Sequence, residues 1–305
     1  MNVDGLLVGQ ATLAALMNVA FALAVGSILF ERWLAADGAQ PRTASAHLAW
    51  HRARTSIVVA ALVLVLADGG WLLYEAASIS GTDLLGGVAV LPDVLVKTQV
   101  GHAWCVAFGG AAVLAIAACL YHGGRFGQVM LALALLACAA GAALLGHTAD
   151  AGVVSIAAAV QLLHMISTAT WGGLVLAGGF IVLPALDTSV TRGALIRTAD
   201  RVSSTSLIAF IVVVATGLFA AERGLGGELS ALRTSPWGHV LALKLALVLL
   251  AVLFGGLNRI SVLPRLRRSA STADAHTFNN VLHLEAFLIL AVFIVASVLA
   301  QTAPA

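Results

Sequence analysis

The residues in this sequence best suited to chemistry are histidines and methionines placed within long apolar runs. His164 lies near the middle of one such run, and Met165 is its neighbour. Counting residues from the start of the first apolar run places Met17 at a similar depth. A histidine in the middle of a segment long enough to span a membrane is rare, and it is a candidate functional residue for that reason.

Three further histidines are predicted near one end of these helices. His102 and His239 lie at the starts of two apolar runs, and His147 lies at the end of a third. At about 1.5 Å of rise per residue, His164 is roughly 15–18 Å below that surface. Imidazole binds both oxidation states of copper and thioether favours Cu(I), so these side chains suit copper. The alternatives are an interfacial role for the outer histidines and a packing role for Met17.

Three of the charged residues within the apolar runs are candidates for a role in transport. Asp68 and Lys244 are the most deeply placed and reach similar depths. An isolated charge there is costly, so we expect each to have a partner, and the two could form an ion pair with each other. Such a pair serves either to join two helices or to move ions. Glu285 lies closer to the opposite surface, where we expect it to pair with an arginine or to help a cation leave.

Composition indicates the elements that position these residues. The chain of 305 residues is 61% hydrophobic and only 10% charged, which excludes an ordinary soluble domain and predicts an all-α, polytopic membrane protein. A helix needs about 20 apolar residues to cross a bilayer. Eight runs reach that length, at residues 6–34, 55–77, 98–121, 127–146, 153–184, 202–221, 238–258 and 280–301.

A weak internal repeat suggests two four-helix halves in the same orientation. A Gly-His pair opens the third run at residues 101–102 and the seventh at 238–239. We therefore predict an N-terminal half at residues 1–150 and a C-terminal half at residues 151–305.

Small residues in the fifth run predict a closely packed helix neighbour. Ala169, Gly173 and Ala177 recur at four-residue spacing, which lets another helix approach the backbone. Gly26 in the first run occupies the position equivalent to Gly173.

Charge and motifs narrow the class of protein further. The loops after the first, third, fifth and seventh runs hold most of the arginines, so the positive-inside rule puts both termini in the periplasm. Nothing in the charge pattern indicates nucleic-acid binding. The sequence has no phosphate loop, nucleophile triad, zinc-protease motif or dinucleotide fingerprint, and we expect no enzymatic activity.

Several short motifs follow one another along the later part of the chain: Gly146-His147, Leu163-His164, Trp171-Gly172-Gly173-Leu174, Trp237-Gly238, Lys244, Asn258-Arg259, Leu263-Pro264-Arg265-Leu266 and Glu285. In these motifs the chain resembles the CopD family of bacterial inner-membrane copper proteins, mainly over residues 140–305. The resemblance implies copper movement across the inner membrane, often beside a periplasmic copper-binding CopC protein.

The preferred interpretation is a multi-pass copper transporter in the lipid bilayer. The outer histidines receive copper, as Cu(I) or Cu(II), and His164 with Met17 or Met165 holds it at mid-membrane. Asp68 and Glu285 then ease its passage inward. Two alternatives remain: a b-type haem protein for electron transfer, with two of the outer histidines as axial ligands, and a copper-binding assembly factor.

Overall fold

Backbone groups inside a bilayer have no water to bind, so apolar segments of this length form helices that satisfy their own hydrogen bonds. The computed structural model describes residues 3–120, 124–145, 155–226 and 230–302. Across these ranges, eight helices are long and apolar enough to cross a membrane, which confirms an all-α, multi-pass membrane protein. In chain order the helices are α1 (Val3–Ala36), α2 (His47–Ser80), α3 (Leu84–Lys97), α4 (Gln99–Leu120), α5 (Arg125–Ala143), α6 (Ile156–Ala177), α7 (Arg192–Gly224), α8 (Ala231–Thr234), α9 (Pro236–Leu257), α10 (Leu263–Ser269) and α11 (Thr272–Gln301).

Helix α3 is an addition to the predicted set. The sequence predicts a loop between the second and third membrane segments, but the structure has a short helix there. Its first turn is capped by Asp83, whose carboxylate accepts a hydrogen bond from the Gly86 amide at 2.9 Å. Val94 of α3 packs against Leu72 and Ala76 of α2.

Helix α6 is the centre of the bundle. Buried residues make up 72% of the most apolar window of α6 and its extension to Leu186, against 11% for the spans that contain α7 and α9. Helices α1, α7 and α11 pack around α6. The part of α6 from Ala169 onward is therefore surrounded by protein, whereas the turns around His164 are half-buried. Helices α7 and α9 present most of their surface outward.

Helices α1 and α6 are in contact through their backbones. A Cβ atom added at Gly26 would collide with the carbonyl oxygen of Gly173, and one added at Gly173 would collide with the carbonyl oxygen of Ala22. Ala169 and Ala177, on the same row of α6, are fully buried. This contact confirms the predicted close packing, while the equivalence of Gly26 and Gly173 in an internal repeat stays a prediction.

Helices α6 and α9 both end in a widened turn before a proline. A π-helical turn at Gly178–Val182 follows α6 and leads into a short 3₁₀ turn, and another at Asn258–Val262 joins α9 to α10. In each turn an amide binds the carbonyl five residues earlier. Pro184 and Pro264 follow these turns. A proline has no N–H group and clashes with the carbonyl four residues before it, and the wider turn relieves both problems.

Two corners of the bundle repeat the same geometry. The Thr98 hydroxyl accepts from the Gly101 amide at 3.0 Å, and the Ser235 hydroxyl accepts from the Gly238 amide at 2.9 Å. In both corners the histidine after the glycine binds the carbonyl six residues before it. The likeness of the corners agrees with the weak internal repeat, while the division of the chain at residue 150 stays a prediction.

Ion pairs join the loops at one end of the bundle, which we call the arginine-rich face. Asp37, after α1, binds Arg201 at 2.8 Å and Arg197 at 3.3 Å on α7, and Asp200 binds Arg267 of α10. Partial burial of the Asp37 carboxyl favours its neutral form, but the hydrogen bonds from Arg201 and Arg197 outweigh this and hold its pKa below the ordinary value. The corner histidines lie at the opposite face.

Candidate functional site

His164 points from α6 toward α7, where its ring meets one hydroxyl group. Its Nδ1 atom lies 2.8 Å from Thr216 Oγ1. The same hydroxyl donates to the carbonyl oxygen of Val212 at 2.7 Å. The His164 ring also bonds to the backbone of Val213, whose carbonyl can only accept. With the hydroxyl proton directed at Val212, the bond between the side chains runs from His164 Nδ1–H to Thr216 Oγ1. The neutral ring then presents an unprotonated Nε2, which is the form of imidazole that binds a metal ion.

The two candidate methionines take different positions relative to His164. Helices α1 and α6 are the first and fifth spans and run in the same direction. Met17 and His164 precede the touching glycines of their helices by the same number of residues, so they lie at the same level. Met165 follows His164 directly and is therefore turned by about 100° around the axis of α6. Met17 and Met165 are both partly buried.

The outer histidines do not approach His164. His102 and His239 are exposed at the starts of α4 and α9, away from the middle of the bundle. Their Nε2–H groups donate to the carbonyl oxygens of Val96 at 3.0 Å and Arg233 at 2.8 Å. Each ring is therefore bonded to the turn that precedes its own helix, and only its Nδ1 atom remains free to bind a metal ion. His147 lies outside the described residues.

The predicted ion pair between Asp68 and Lys244 is wrong. The carboxyl of Asp68 is buried, its Oδ1 atom has no hydrogen-bond partner, and it is within electrostatic reach of Cys138 on α5. Lys244, on α9, is instead within electrostatic reach of His164. Equal depth did not bring the two charges together, because α2 packs against α1, α3 and α4 while α9 packs against α11.

Glu285 is also not paired as expected. It is only 5% exposed on α11, yet within the described part of the chain it has neither an ion pair nor a hydrogen-bond partner. The nearest candidate, Arg259, instead donates to the backbone carbonyl and the hydroxyl of Ser203 at 2.8 and 2.7 Å. The predicted pairing of Glu285 with an arginine is therefore wrong, because that arginine is held by α7.

His164 is thus one candidate ligand, with the hydrogen bond expected of a metal-binding histidine. No three side chains of the types His, Cys, Asp and Glu come together as a metal site anywhere in the part of the chain that the structure describes. Thr216 was not foreseen from the sequence. The sequence does show a polar residue within an apolar run at this position. It does not show that this residue pairs with His164, 52 positions away.

The two halves of the chain match two related family models. One, described as Copper resistance protein D, matches residues 196–299, and the other, described as Copper resistance protein D-like, N-terminal domain, matches residues 6–156. Together they cover most of the chain. The protein belongs to the copper resistance protein D family. Family membership supports a copper-related function in a membrane and extends the likeness to the first half. No curated protein and no solved structure matches the chain.

The family matches divide the candidate residues into two groups. Met17, Asp68 and His102 lie in the N-terminal match, while His239, Lys244 and Glu285 lie in the C-terminal match. His164 and Met165 fall between the two matches. Their assignment therefore rests on the position of α6 and on the hydrogen bond to Thr216, whereas the association with copper rests on the family.

Proposed function

We propose that this member of the copper resistance protein D family carries copper across the bacterial inner membrane and that His164 is its mid-membrane ligand. The observation that carries the proposal is the bond from His164 Nδ1–H to Thr216, which leaves Nε2 free within an apolar bundle. Copper is the cargo, and the protein moves it without catalysing a reaction.

The other candidate residues serve the same path. Met17, at the level of His164, supplies a soft second ligand for Cu(I), or Met165 does so after a small rotation of α6. Successive weak sites suit conduction, since each must release the ion that it binds. His102, His147 and His239 at the outer face receive copper from a periplasmic CopC-like protein. Asp68 and Glu285 lower the cost of a cation crossing the bundle.

The distribution of arginines indicates how the protein is oriented in the membrane. We place the arginine-rich face in the cytoplasm and both termini in the periplasm, in agreement with the positive-inside rule and the even number of spans. A reporter that is active only in the cytoplasm should be inactive when it is fused to the C-terminus. Activity of that fusion would contradict the orientation.

The central test replaces His164 in protein reconstituted into liposomes. His164→Ala should abolish copper uptake and lower copper binding to the purified protein, because one imidazole is the proposed central ligand. His164→Met should retain part of the uptake if Cu(I) is the species carried. The matched control is His283→Ala on α11, whose ring is already bound to the carbonyl of Asn279 at 2.7 Å.

Three results would contradict the proposal. Wild-type uptake by His164→Ala would show that His164 is not the central ligand. Copper binding without flux in the wild-type protein would favour the assembly factor over the transporter. A Soret band in the purified protein, with haem in place of copper, would favour electron transfer.

A further inference from the structure

A second polar site lies between α6 and the arginine-rich face. It is a cavity of about 160 Å³ bounded by α6, α7, α9 and α11. Trp171 of α6 and Phe210 of α7 line its outer end, with ring centroids 5.0 Å apart and planes at 61°. Along both helices these rings come between the cavity and the His164–Thr216 pair. The cavity is therefore separate from the candidate copper ligand.

Oxygen atoms without partners line this cavity. Glu285 and Asn258 are each 5% exposed, and a Cβ atom at Gly255 would lie 2.8 Å from Glu285 Oε1. The Asn258 amide nitrogen is directed at the carbonyl of Phe278, at 3.4 Å, so its Oδ1 atom is the end left without a partner. Ser206 Oγ is also buried and without a partner. Buried polar atoms are nearly always satisfied, so unsatisfied oxygens on three residues at one cavity call for a ligand.

The backbone conformation beside the cavity is also typical of a functional site. Asn258 begins the π-helical turn between α9 and α10, and turns of this kind are frequent at functional sites. Gly255, one turn earlier, leaves room for the Glu285 carboxyl against α9.

We propose that this cavity binds a small hard cation, Na⁺ or a proton, through Glu285, Asn258 and Ser206. The donors are all oxygens, which suit hard cations and not Cu(I). They carry one negative charge, so a monovalent cation neutralises the site. Arg259 is the charged group at the inner end of the cavity; its guanidinium is bound to Ser203 and its charge disfavours a divalent ion there.

The site shares Glu285 with the proposed copper path, but its existence requires no copper. Binding at the cavity is tested without copper, and the failure of either proposal leaves the other standing.

The test measures the melting midpoint of the purified full chain in detergent as Na⁺ replaces choline at constant ionic strength, and then as pH changes without Na⁺. A ligand that binds only the folded protein raises its melting midpoint. Na⁺ should raise the midpoint of the wild type but not of Glu285→Gln. If the ligand is a proton, Na⁺ should have no effect, and the rise of the midpoint as pH falls should be clearly smaller in Glu285→Gln than in the wild type, because other buried carboxyls such as Asp68 contribute to the rise in both.

Two further variants make the result decisive. Glu75→Gln removes another carboxyl from a membrane helix, one already bound by Gln10, and should respond to Na⁺ like the wild type. Ser206→Ala removes one cavity oxygen and should weaken the binding of Na⁺ by about tenfold. This variant takes the place of Glu285→Gln in the test if Glu285→Gln does not fold. The proposal is overturned if the wild type and the cavity variants respond identically to both Na⁺ and pH.

Discussion

A histidine inside a membrane helix can bind a metal only if one ring nitrogen is satisfied and the other is available. Thr216 meets the first condition for His164 when its hydroxyl proton is directed at the Val212 carbonyl, because the hydroxyl then accepts from the ring. Ring orientation and tautomer are therefore set by α7, a helix other than the one that carries the histidine. Thr216 is a positioning residue in the proposed copper path.

Replacing Thr216 should weaken copper binding without removing the ligand. Thr216→Val removes the hydroxyl and leaves the backbone of Val213 as the remaining partner of the His164 ring. The ring is then held less firmly, and losses of about 10- to 100-fold in affinity are typical when such a partner is removed. Thr216→Ser keeps the hydroxyl and should bind copper like the wild type. The measurement is a copper titration of purified protein against a competing chelator. Equal affinities for the valine and serine variants would show that Thr216 has no positioning role.

At the scale of helices, the glycines of α1 and α6 decide how closely the two spans approach. Each glycine seats against carbonyl groups of the other helix, so neither position has room for a methyl group. Interfaces of small residues of this kind replace the hydrophobic effect as the source of helix association within a bilayer.

Adding one methyl group at this contact should be destabilising. Gly173→Ala forces α1 and α6 apart, and overpacking of this kind costs about 1–3 kcal/mol. Gly109→Ala on α4 is the control, because a Cβ atom there meets nothing within 4 Å. It should be neutral or slightly stabilising, since alanine favours a helix over glycine. The melting midpoints of the Gly173→Ala and Gly109→Ala variants in detergent test this prediction. Equal midpoints would contradict the close contact between α1 and α6.

Hydropathy predicted the membrane spans well, because each is one continuous apolar run whose backbone must satisfy itself. It missed α3, which at 14 residues is too short for the same argument and carries Pro92 and Asp93 in its interior. The two π-helical turns were also unforeseen, although Pro184 and Pro264 mark their positions.

Depth along each helix was predictable from counting, but direction around each helix was not. The level of Met17 relative to His164 follows from the equivalent glycines. The partners of Asp68, Lys244 and Glu285 depend on which helices are neighbours, and a single sequence does not contain that information. Both predicted pairings of these charges were wrong for this reason.

For the molecule as a whole, the arginine-rich face is a network that ties distant parts of the chain together. Asp37 follows the first span, whereas Arg197 and Arg201 begin the sixth. The Asp37 side chain is only 14% exposed, so its charge is better shielded from water than that of an ordinary surface residue.

The contribution of Asp37 should depend on pH. Its folded-state pKa is below the ordinary value of 3.8, so the stabilisation is complete above that value and is lost as pH falls through the folded pKa. Asp37→Asn should cost about 1 kcal/mol at neutral pH and progressively less in acid. Asp93→Asn, which breaks a pair with both side chains 68% exposed, should cost almost nothing. The free energies of unfolding of both variants, measured from neutral pH into acid, check this prediction. Equal losses of stability in the two variants would show that Asp37 is unpaired.

The backbone contact between Gly26 and Gly173 also limits how the bundle can move. Two helices seated on each other's carbonyl groups cannot slide without first separating, so any tilt of α1 against α6 must turn about this point. Met17 and His164 lie on one side of this contact, and the ends of α1 and α6 nearest the arginine-rich face lie on the other. A tilt about the contact that widens the space between the helices around His164 would therefore narrow the space between them at the arginine-rich face.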